Sequence, residues 1–566
     1  MFSRDECCYT LRDNNLLPGN SSLANCGQVY DDSKPPAPSL RVPFAVCNQM
    51  CGGIGVPKAD KPQQWAAVLV QFIMSATIFG MSIPRRHSLL PRVEMQTFGF
   101  PRRPRRGLLA TTQWCLVALL ASTLDLSMII LDTLLWIFVI MTLAAPMAIA
   151  GLHETRLDYK MLRALHHRKH IQPGTRSPAQ RDQDLFESIQ LTVVTICGNL
   201  LLDSGNPLQA IPQKLKAAPP DVRRTQLRGL TTAQASFGAI VGAPVVFYLG
   251  AFFYTIMDLR GKMSDEDAAI SLAFGVMWMT LVHVAIVSGC LLASNNPSAV
   301  SVLVGAEKRA GASSSSREIY DMLFQPVVLW RRGRTKREWL HSTDAWRHND
   351  GLLRKDADFH REVDVSVTEF LFFVCLPAIV LICLPPAAGA VVAWKTPPAG
   401  WGCRSLTFVS YAASQVLLCF FFWVQPHIPQ PGVMTGSMRS RGHRMWKTWA
   451  AVAGVEVMSF LAYTVFYCLY AFSFLLALFF GIGGTIMEVT GVYRNCVCNV
   501  TADMWWNLEN AFVNVATDTH EQRISSRNWV IMGSVATGFM VACTVFGWWH
   551  QKTIREQYME VVEDLD

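Results

Sequence analysis

The stretch Ser236–Met257 reads SFGAIVGAPVVFYLGAFFYTIM and carries no charged side chain. It is about 22 residues long, which is enough for one helix to cross a lipid bilayer. Gly238 and Gly242 form a G-x-x-x-G step that predicts close packing of a second helix, and Pro244 removes one helical hydrogen bond. A charged turn then leads into a second apolar run, Ala268–Ser294. The two runs predict a transmembrane hairpin at the centre of the chain.

The overall composition agrees with this hairpin. The chain has 566 residues, of which 51% are hydrophobic and 16% are charged, whereas soluble domains carry about 25% charged residues. The basic residues that give the net charge of +8 lie in loops beside apolar runs, where the positive-inside rule places them. We therefore expect an all-α, polytopic transmembrane helical bundle in contact with the lipid bilayer, and no nucleic-acid partner.

Counting apolar runs outward from the hairpin predicts about nine spans. An arginine-rich segment after the first span indicates the cytoplasmic side, so the N-terminus is expected outside and the C-terminus in the cytoplasm. Asp125 and Asp132 are placed near an outer turn between the second and third spans. The predicted spans are Trp65–Ile83, 108–126, 132–152, Ser236–Met257, Ala268–Ser294, Val367–Trp394, Ser405–Val424, Trp449–Thr490 and Trp529–Trp549.

The same count divides the chain into seven regions. They are an extracytoplasmic cysteine-containing segment (1–64), the first three spans (65–152), a cytoplasmic basic region (153–235), the central hairpin (236–294), a cytoplasmic loop (295–366), the last four spans (367–549) with an outer loop (494–527), and a cytoplasmic tail (550–566).

Residues 185–202 are ambiguous because basic residues flank them on both sides. An uncharged polar stripe that includes Thr192, Thr195 and Asn199 runs beside an apolar stripe. The segment is expected to lie in the membrane interface, to enter the membrane and return, or to rest as a soluble helix on the cytoplasmic ends of the spans. In the re-entrant case the polar stripe would face a water-filled vestibule.

The cysteines divide by predicted side. Eight of them fall on the outer side and are expected to form disulfides, with the connectivity open among the possible pairings. Two glycosylation sequons, at Asn20 and Asn499, fall on that side as well. The eight cysteines are Cys7, Cys8, Cys26, Cys47, Cys51, Cys403, Cys496 and Cys498.

One cytoplasmic segment has the composition of a lipid-binding motif. Phe324–Arg337 reads FQPVVLWRRGRTKR, an apolar edge followed by five basic residues. Such a segment is expected to contact anionic lipids of the inner leaflet.

Several motifs together resemble a large family of multi-pass membrane proteins from filamentous fungi. The motifs are the glycine-rich start of the hairpin, Ser236–Phe252, together with CGNL at Cys197–Leu200, NNP at Asn295–Pro297 and TPPAGWGCRS at Thr396–Ser405. The resemblance covers most of the chain. It implies a membrane topology and no particular activity or cofactor.

No catalytic motif is present, so the functional candidates are polar groups within predicted spans. Glu456 and His283 are such groups, and charged or titratable side chains inside a membrane are commonly functional. Prolines within predicted spans favour a solute carrier or channel. A receptor or scaffold with a disulfide-bonded outer face is the alternative, and a membrane-embedded biosynthetic enzyme is the third. The location is expected to be the plasma membrane or the endomembrane system.

Overall fold

A computed structural model describes most of the chain and shows a mostly helical protein. The described residues are 4–17, 26–51, 67–83, 108–171, 178–196, 215, 218–232, 236–263, 265–292, 328–349, 357–425 and 447–565. The α-helices are α1 (Arg4–Asp13), α2 (Phe44–Met50), α3 (Ser75–Ser82), α4 (Leu108–Thr142), α5 (Ala144–Ile171), α6 (Pro178–Ile196), α7 (Pro220–Thr232), α8 (Ala243–Gly261), α9 (Glu266–Gly289), α10 (Arg332–Asn349), α11 (Ala357–Val363), α12 (Val367–Phe370), α13 (Leu376–Lys395), α14 (Cys403–Val424), α15 (Lys447–Leu478), α16 (Gly484–Val489) and α17 (His520–Glu563).

Four wider π-helical turns continue into these helices. They precede α3, α8, α13 and α16, at Ala67–Met74, Gly238–Gly242, Leu371–Cys375 and Phe479–Gly483. Such turns interrupt the regular hydrogen-bond ladder and are frequent at functional sites.

Seven helical stretches in the described part of the chain are long and apolar enough to cross a membrane. A shorter apolar helix, Val68–Ser82, matches the first predicted span. The seven stretches are Trp114–Thr142, Gly238–Gly261, Glu266–Gly289, Arg361–Lys395, Cys403–Val424, Phe460–Val489 and His520–Glu563. The helical class predicted from composition is therefore confirmed.

The helix α9 is the centre of the bundle. Its most apolar 18-residue segment is entirely buried. In each of the other six long stretches, less than half of the corresponding segment is buried. α13 packs closely along it, since Gly389 of α13 brings the two backbones together beside the carbonyl of Ala273. Asp265 caps the helix by accepting a hydrogen bond from the amide of Ala268 at 3.1 Å.

The predicted boundary between the second and third spans is wrong. A single helix, α4, runs through Asp125 and Asp132 to Thr142, and α5 then continues from Ala144. Neither glycine nor proline occurs between the two aspartates, so nothing there interrupts the helix. The interruption lies instead just before Pro146, which cannot donate a backbone hydrogen bond.

The G-x-x-x-G step does not form a helix contact. Among the described residues, a side chain at Gly238 would meet no atom within 4 Å, and one at Gly242 would meet only the carbonyl of Phe237, at 3.9 Å. The two glycines lie in a π-helical turn, and the helix that follows buries a different face, which includes Val245, Tyr248 and Phe252. The expected close packing is therefore wrong at these positions.

Four disulfides hold one end of the bundle, which we call the disulfide end. They join Cys7 to Cys51, Cys8 to Cys26, Cys47 to Cys496, and Cys403 to Cys498. The pairs use all eight cysteines that were predicted to form disulfides.

The disulfide end is a small domain built from two distant parts of the chain. Strand β1 (Arg41–Pro43) pairs antiparallel with β2 (Phe512–Asn514), with Val42 opposite Val513. Cysteines and aliphatic side chains from both parts fill a core of its own. Asn499 is partly exposed here, whereas Asn20 lies outside the described residues.

Ion pairs connect this domain to the start of the central helix. Arg4 lies 3.1 Å from Glu266, and Arg494 lies 3.1 Å from Asp267. Glu488, which is buried, pairs with Arg404 at 2.8 Å. The disulfide domain therefore closes over the first turn of α9.

The opposite end of the bundle is a second helical cluster. The far ends of α5 and α17 pack there with α6, α7, α10 and α11, and they enclose a separate apolar core. Tyr558 of α17 donates a hydrogen bond to the carbonyl of Leu227 at 3.3 Å. We call this the ion-pair end, after the cluster described below.

The Cys47–Cys496 disulfide allows a direct test of the disulfide domain. It joins residues 449 positions apart, so its loss would release the N-terminal part of the domain. Replacing Cys496 by alanine is expected to lower stability by about 2–5 kcal/mol, measured by thermal unfolding in detergent. The control is Cys115→Ala, because Cys115 is a free, exposed cysteine. Alkylation of Cys47 in the unreduced wild-type protein would contradict this pairing.

Candidate functional site

The junction between α4 and α5 is an interrupted helix inside the bundle. Pro146 has no amide hydrogen, so the carbonyl of Thr142 has no donor in its own helix. The amide of Ala145 donates instead to the side-chain oxygen Oε1 of Gln415, at 3.0 Å. Backbone polar groups at this buried position therefore lack partners within their own helix, and each must find a partner elsewhere.

Gln415 of α14 fills this interruption with its side chain. Its Nε2 donates to the carbonyls of Met141 and Thr142, at 3.1 Å each. One helical turn earlier, the hydroxyl of Tyr411 donates to the same Met141 carbonyl at 2.7 Å. Residues four apart lie on the same face of a helix, so α14 presents both side chains to the junction. Both side chains are fully buried.

Thr280 of the central helix approaches this region, and His283 lies about one turn further along the same helix. Thr280 faces the Tyr411 side chain, and His283 faces the backbone of Leu381. Within the described residues, neither the Thr280 hydroxyl nor either His283 nitrogen makes a hydrogen bond of normal geometry, although both residues are fully buried. The carbonyl of Leu381 has no donor within α13, because the residue four positions later is Pro385, which lacks an amide hydrogen.

We call this group the polar centre: Thr280, His283, Tyr411, Gln415 and the carbonyls of Met141 and Thr142. It combines carbonyl oxygens, a hydroxyl, an amide and an imidazole within a low-polarity core. Carbonyl and amide oxygens are ligands for cations and for hydrogen-bond donors, and an imidazole can accept a proton.

Of the residues predicted from the sequence, His283 lies in the polar centre. Thr192 and Thr195 do not, since they lie on α6 in the ion-pair end, and both are buried. Their hydroxyls donate to carbonyls of their own helix, at 2.8 and 3.0 Å. The prediction that these two threonines face water is therefore wrong. Their hydroxyls are paired with carbonyls of their own helix, and neighbouring residues bury the side chains.

The remaining two predicted residues cannot be placed in the site. The backbone of Glu456 lies within α15, but its side chain is outside the described part. Asn199 also lies outside the described residues.

Sequence reasoning missed Thr280, Tyr411, Gln415 and the junction itself. Two signals were available: a glutamine inside an otherwise apolar span, and Pro146 inside an apolar run. Each is common alone, and only the fold brings them together.

A buried ion-pair cluster lies at the opposite end from the disulfides. Lys336 of α10 lies 2.6 Å from Asp158 and 2.9 Å from Glu154, and Arg332 lies 3.3 Å from Glu154. Lys336 also donates to the carbonyl of Val194 at 3.0 Å. Burial opposes the charge of Lys336, yet Asp158 and Glu154 together raise its pKa. Burial raises the pKa of Asp158 to about 7.

This cluster bears on the segment expected to bind anionic lipids. Arg332 and Lys336 belong to that segment, but both are buried in ion pairs, so they are not available to lipid headgroups. Arg331, Arg334 and Arg337 are exposed. Residues 324–327 lie outside the described residues.

In the described ranges there is no group of three or more histidine, cysteine, aspartate or glutamate side chains that could hold a metal ion. Comparisons with protein-family models, with curated proteins and with solved structures yield no match to this chain. The functional argument therefore rests on the site itself.

Proposed function

We propose that this chain is a multi-pass membrane protein whose disulfide end faces the outside and whose ion-pair end faces the cytoplasm. Its support is the set of seven apolar helices and the concentration of four disulfides at one end. Disulfides persist in oxidising compartments, and arginine-rich segments favour the cytoplasmic side. The proposed location is the plasma membrane or the endomembrane system, and the fungal resemblance remains a prediction.

Within this topology, the chain is proposed to act as a solute carrier with the polar centre as its binding site. The observation that carries the proposal is the interrupted helix at Thr142–Pro146. Carbonyls at this interruption accept hydrogen bonds from Gln415, a side chain of another helix. Carriers commonly bind their solutes at discontinuous helices near the membrane midplane. A side chain can release such carbonyls by changing rotamer, whereas a regular helical bond cannot.

The chemistry of the polar centre indicates the class of solute. A small molecule or cation that offers hydrogen-bond donors or positive charge could displace the Gln415 amide from the carbonyls of Met141 and Thr142. Thr280 would supply a hydroxyl, and the neutral imidazole of His283 could accept a hydrogen bond from the solute. The structure then corresponds to a closed state in which Gln415 takes the place of the solute.

A screen for ligands that stabilise the protein tests this proposal. The purified wild type is heated with amino acids, polyamines, sugars, nucleosides and inorganic cations, and a ligand that binds only the folded protein raises its unfolding temperature. Thr280→Val keeps the shape of the side chain but removes the hydroxyl, so it is expected to retain its unfolding temperature and to lose the shift.

The matched control is Ser271→Ala, on the same helix and also buried, which is expected to keep the ligand shift. A ligand that shifts wild type and Thr280→Val equally would place binding elsewhere and remove the polar centre from the proposal.

A receptor or scaffold is the second candidate, and one observation favours it. The disulfide domain forms ion pairs with Glu266 and Asp267 at the start of the central helix. Binding of a ligand to the domain could therefore shift the position of this helix within the bundle. Trp506 of this domain is 95% exposed, and exposed tryptophans are frequent in binding surfaces. Ligand stabilisation that is lost in Trp506→Ala and retained in Thr280→Val would favour this candidate. Nothing in the described residues favours an enzyme.

A further inference from the structure

A partly open cavity lies where α8 begins beside the last turns of α17. Its volume is about 320 Å³, at the lower end of the range for small-ligand sites. The residues that the argument uses are Phe237, Gly238, Trp548, Gln551, Lys552 and Arg555. The cavity lies at the ion-pair end, where both helices reach the end of their apolar stretch.

Gln551 is the feature that points to a ligand. Its side chain lines the cavity and is only 6% exposed. No hydrogen bond within the described part of the protein satisfies this amide. Because the side chain lines the cavity, its amide can exchange hydrogen bonds with a group held there.

The charges around the cavity favour an anionic group. Lys552 and Arg555 contribute two positive charges, and Glu556 contributes one negative charge at 3.8 Å from Lys552. Arg555 uses one nitrogen to donate to the carbonyl of Thr231 at 2.6 Å, and its other donors have no hydrogen-bond partner among the described residues. The net charge of the lining is therefore positive.

The start of the helix adds a second source of positive potential. Phe237 is the N-cap of the long helical stretch and Gly238 is its first residue, so no carbonyl of that helix can accept from their amides. Helix N-termini of this kind bind phosphate groups through such amides. The glycine adds no side chain to this approach, and no atom of the described residues lies within 4 Å of its Cβ position.

Exposed apolar surfaces lead away from the cavity along both helices. Val246 and Phe247 of α8 are 66% and 79% exposed, and Phe546 of α17 is 63% exposed. Such surfaces suit acyl chains and would give a soluble phosphate nothing to contact. Trp548 lies at the boundary, where tryptophan is enriched in membrane proteins.

We propose that this cavity binds the phosphate of an anionic glycerophospholipid, with the acyl chains along the apolar faces of α8 and α17. Gln551 and the helix start hold the phosphate oxygens, and Lys552 and Arg555 balance the charge. This inference rests on the membrane-crossing part of the proposed function and is independent of transport.

Native mass spectrometry of the purified full chain tests the proposal. The protein is titrated with phosphatidylglycerol, with phosphatidylcholine and with soluble sn-glycerol 3-phosphate. We expect phosphatidylglycerol to bind about tenfold more tightly than phosphatidylcholine, and this affinity to fall about tenfold in Lys552→Gln and in Gln551→Leu, as expected for loss of one charge-assisted contact. The matched control is Lys262→Gln, since Lys262 is also exposed and also pairs with an acid four residues away, at 3.1 Å.

Each outcome is decisive. Equal affinity for the two lipids, or full affinity in Lys552→Gln, would overturn the site, and Lys552 is exposed enough that its variant is expected to fold. Tight binding of glycerol 3-phosphate alone would replace the lipid by a soluble phosphate ligand and overturn the proposal. A protein that stays monodisperse in buffer without detergent would instead contradict the proposed membrane topology.

Discussion

Replacing Lys336 by methionine is expected to give the largest loss of stability of any single change considered for this protein. Lys336 is fully buried and lies between two buried carboxylates, at 2.6 Å from Asp158 and 2.9 Å from Glu154. Methionine keeps much of the volume and removes the charge, so Asp158 would lose its ion pair while Glu154 kept only Arg332. Breaking a buried pair in this way costs about 3–5 kcal/mol. Thermal unfolding in detergent measures the loss.

Two further variants make the Lys336 prediction specific. Arg334→Met changes an exposed residue of the same helix, which pairs with Glu338 at 3.3 Å, and exposed pairs are worth about 0–1 kcal/mol. Adding Asp158→Asn to Lys336→Met is expected to recover part of the loss, because it removes the unpaired carboxylate. Equal unfolding temperatures for Lys336→Met and Arg334→Met would show that the cluster is not buried.

A large effect is also expected from a leucine at Gly389, where the obstacle is backbone rather than a side chain. A Cβ atom at this position would lie 2.8 Å from the carbonyl oxygen of Ala273 in the central helix. Because the obstacle is backbone, α13 and α9 would have to separate, and overpacking of this kind costs about 1–3 kcal/mol or more. The measurement is the fraction of protein that remains monodisperse after heating in detergent.

The control for Gly389→Leu is Gly242→Leu, which makes the same change in another apolar helix. In the described part of the chain, a side chain at Gly242 meets only the carbonyl of Phe237, at 3.9 Å, so this variant is expected to resemble wild type. The reverse order of stability would mean that the G-x-x-x-G face is the packed one and that the arrangement of α8 and α9 described above is wrong.

The helical class followed from the sequence because apolar run length is a local property. The set of disulfide cysteines followed as well, since the basic loops separate the two sides of the chain. The connectivity could not be deduced, because Cys47 and Cys496 are brought together only by pairing of β1 with β2.

The functional site was less predictable because its residues act through contacts between helices. His283 could be chosen as a titratable group in an apolar run, but Gln415 has its role only because α14 faces the interruption before Pro146. The position of that interruption was missed because Asp125 and Asp132 suggested a turn, although a buried or partly buried aspartate does not break a helix. The failed G-x-x-x-G prediction has a similar cause. Gly238 and Gly242 lie in a π-helical turn, and the apolar pattern of the sequence does not reveal such a turn.

The central claim is that the polar centre is reached by solutes from each side of a membrane in turn. Thr280→Cys is close in shape to the native residue and places a thiol at the site. In proteoliposomes of known orientation, a small charged thiol reagent is expected to label residue 280 from both sides during turnover, above the labelling of wild type. Val282→Cys, buried on the same helix, is expected to stay unlabelled. Labelling of residue 280 from neither side under any solute would contradict a carrier and leave a receptor or scaffold as the better account.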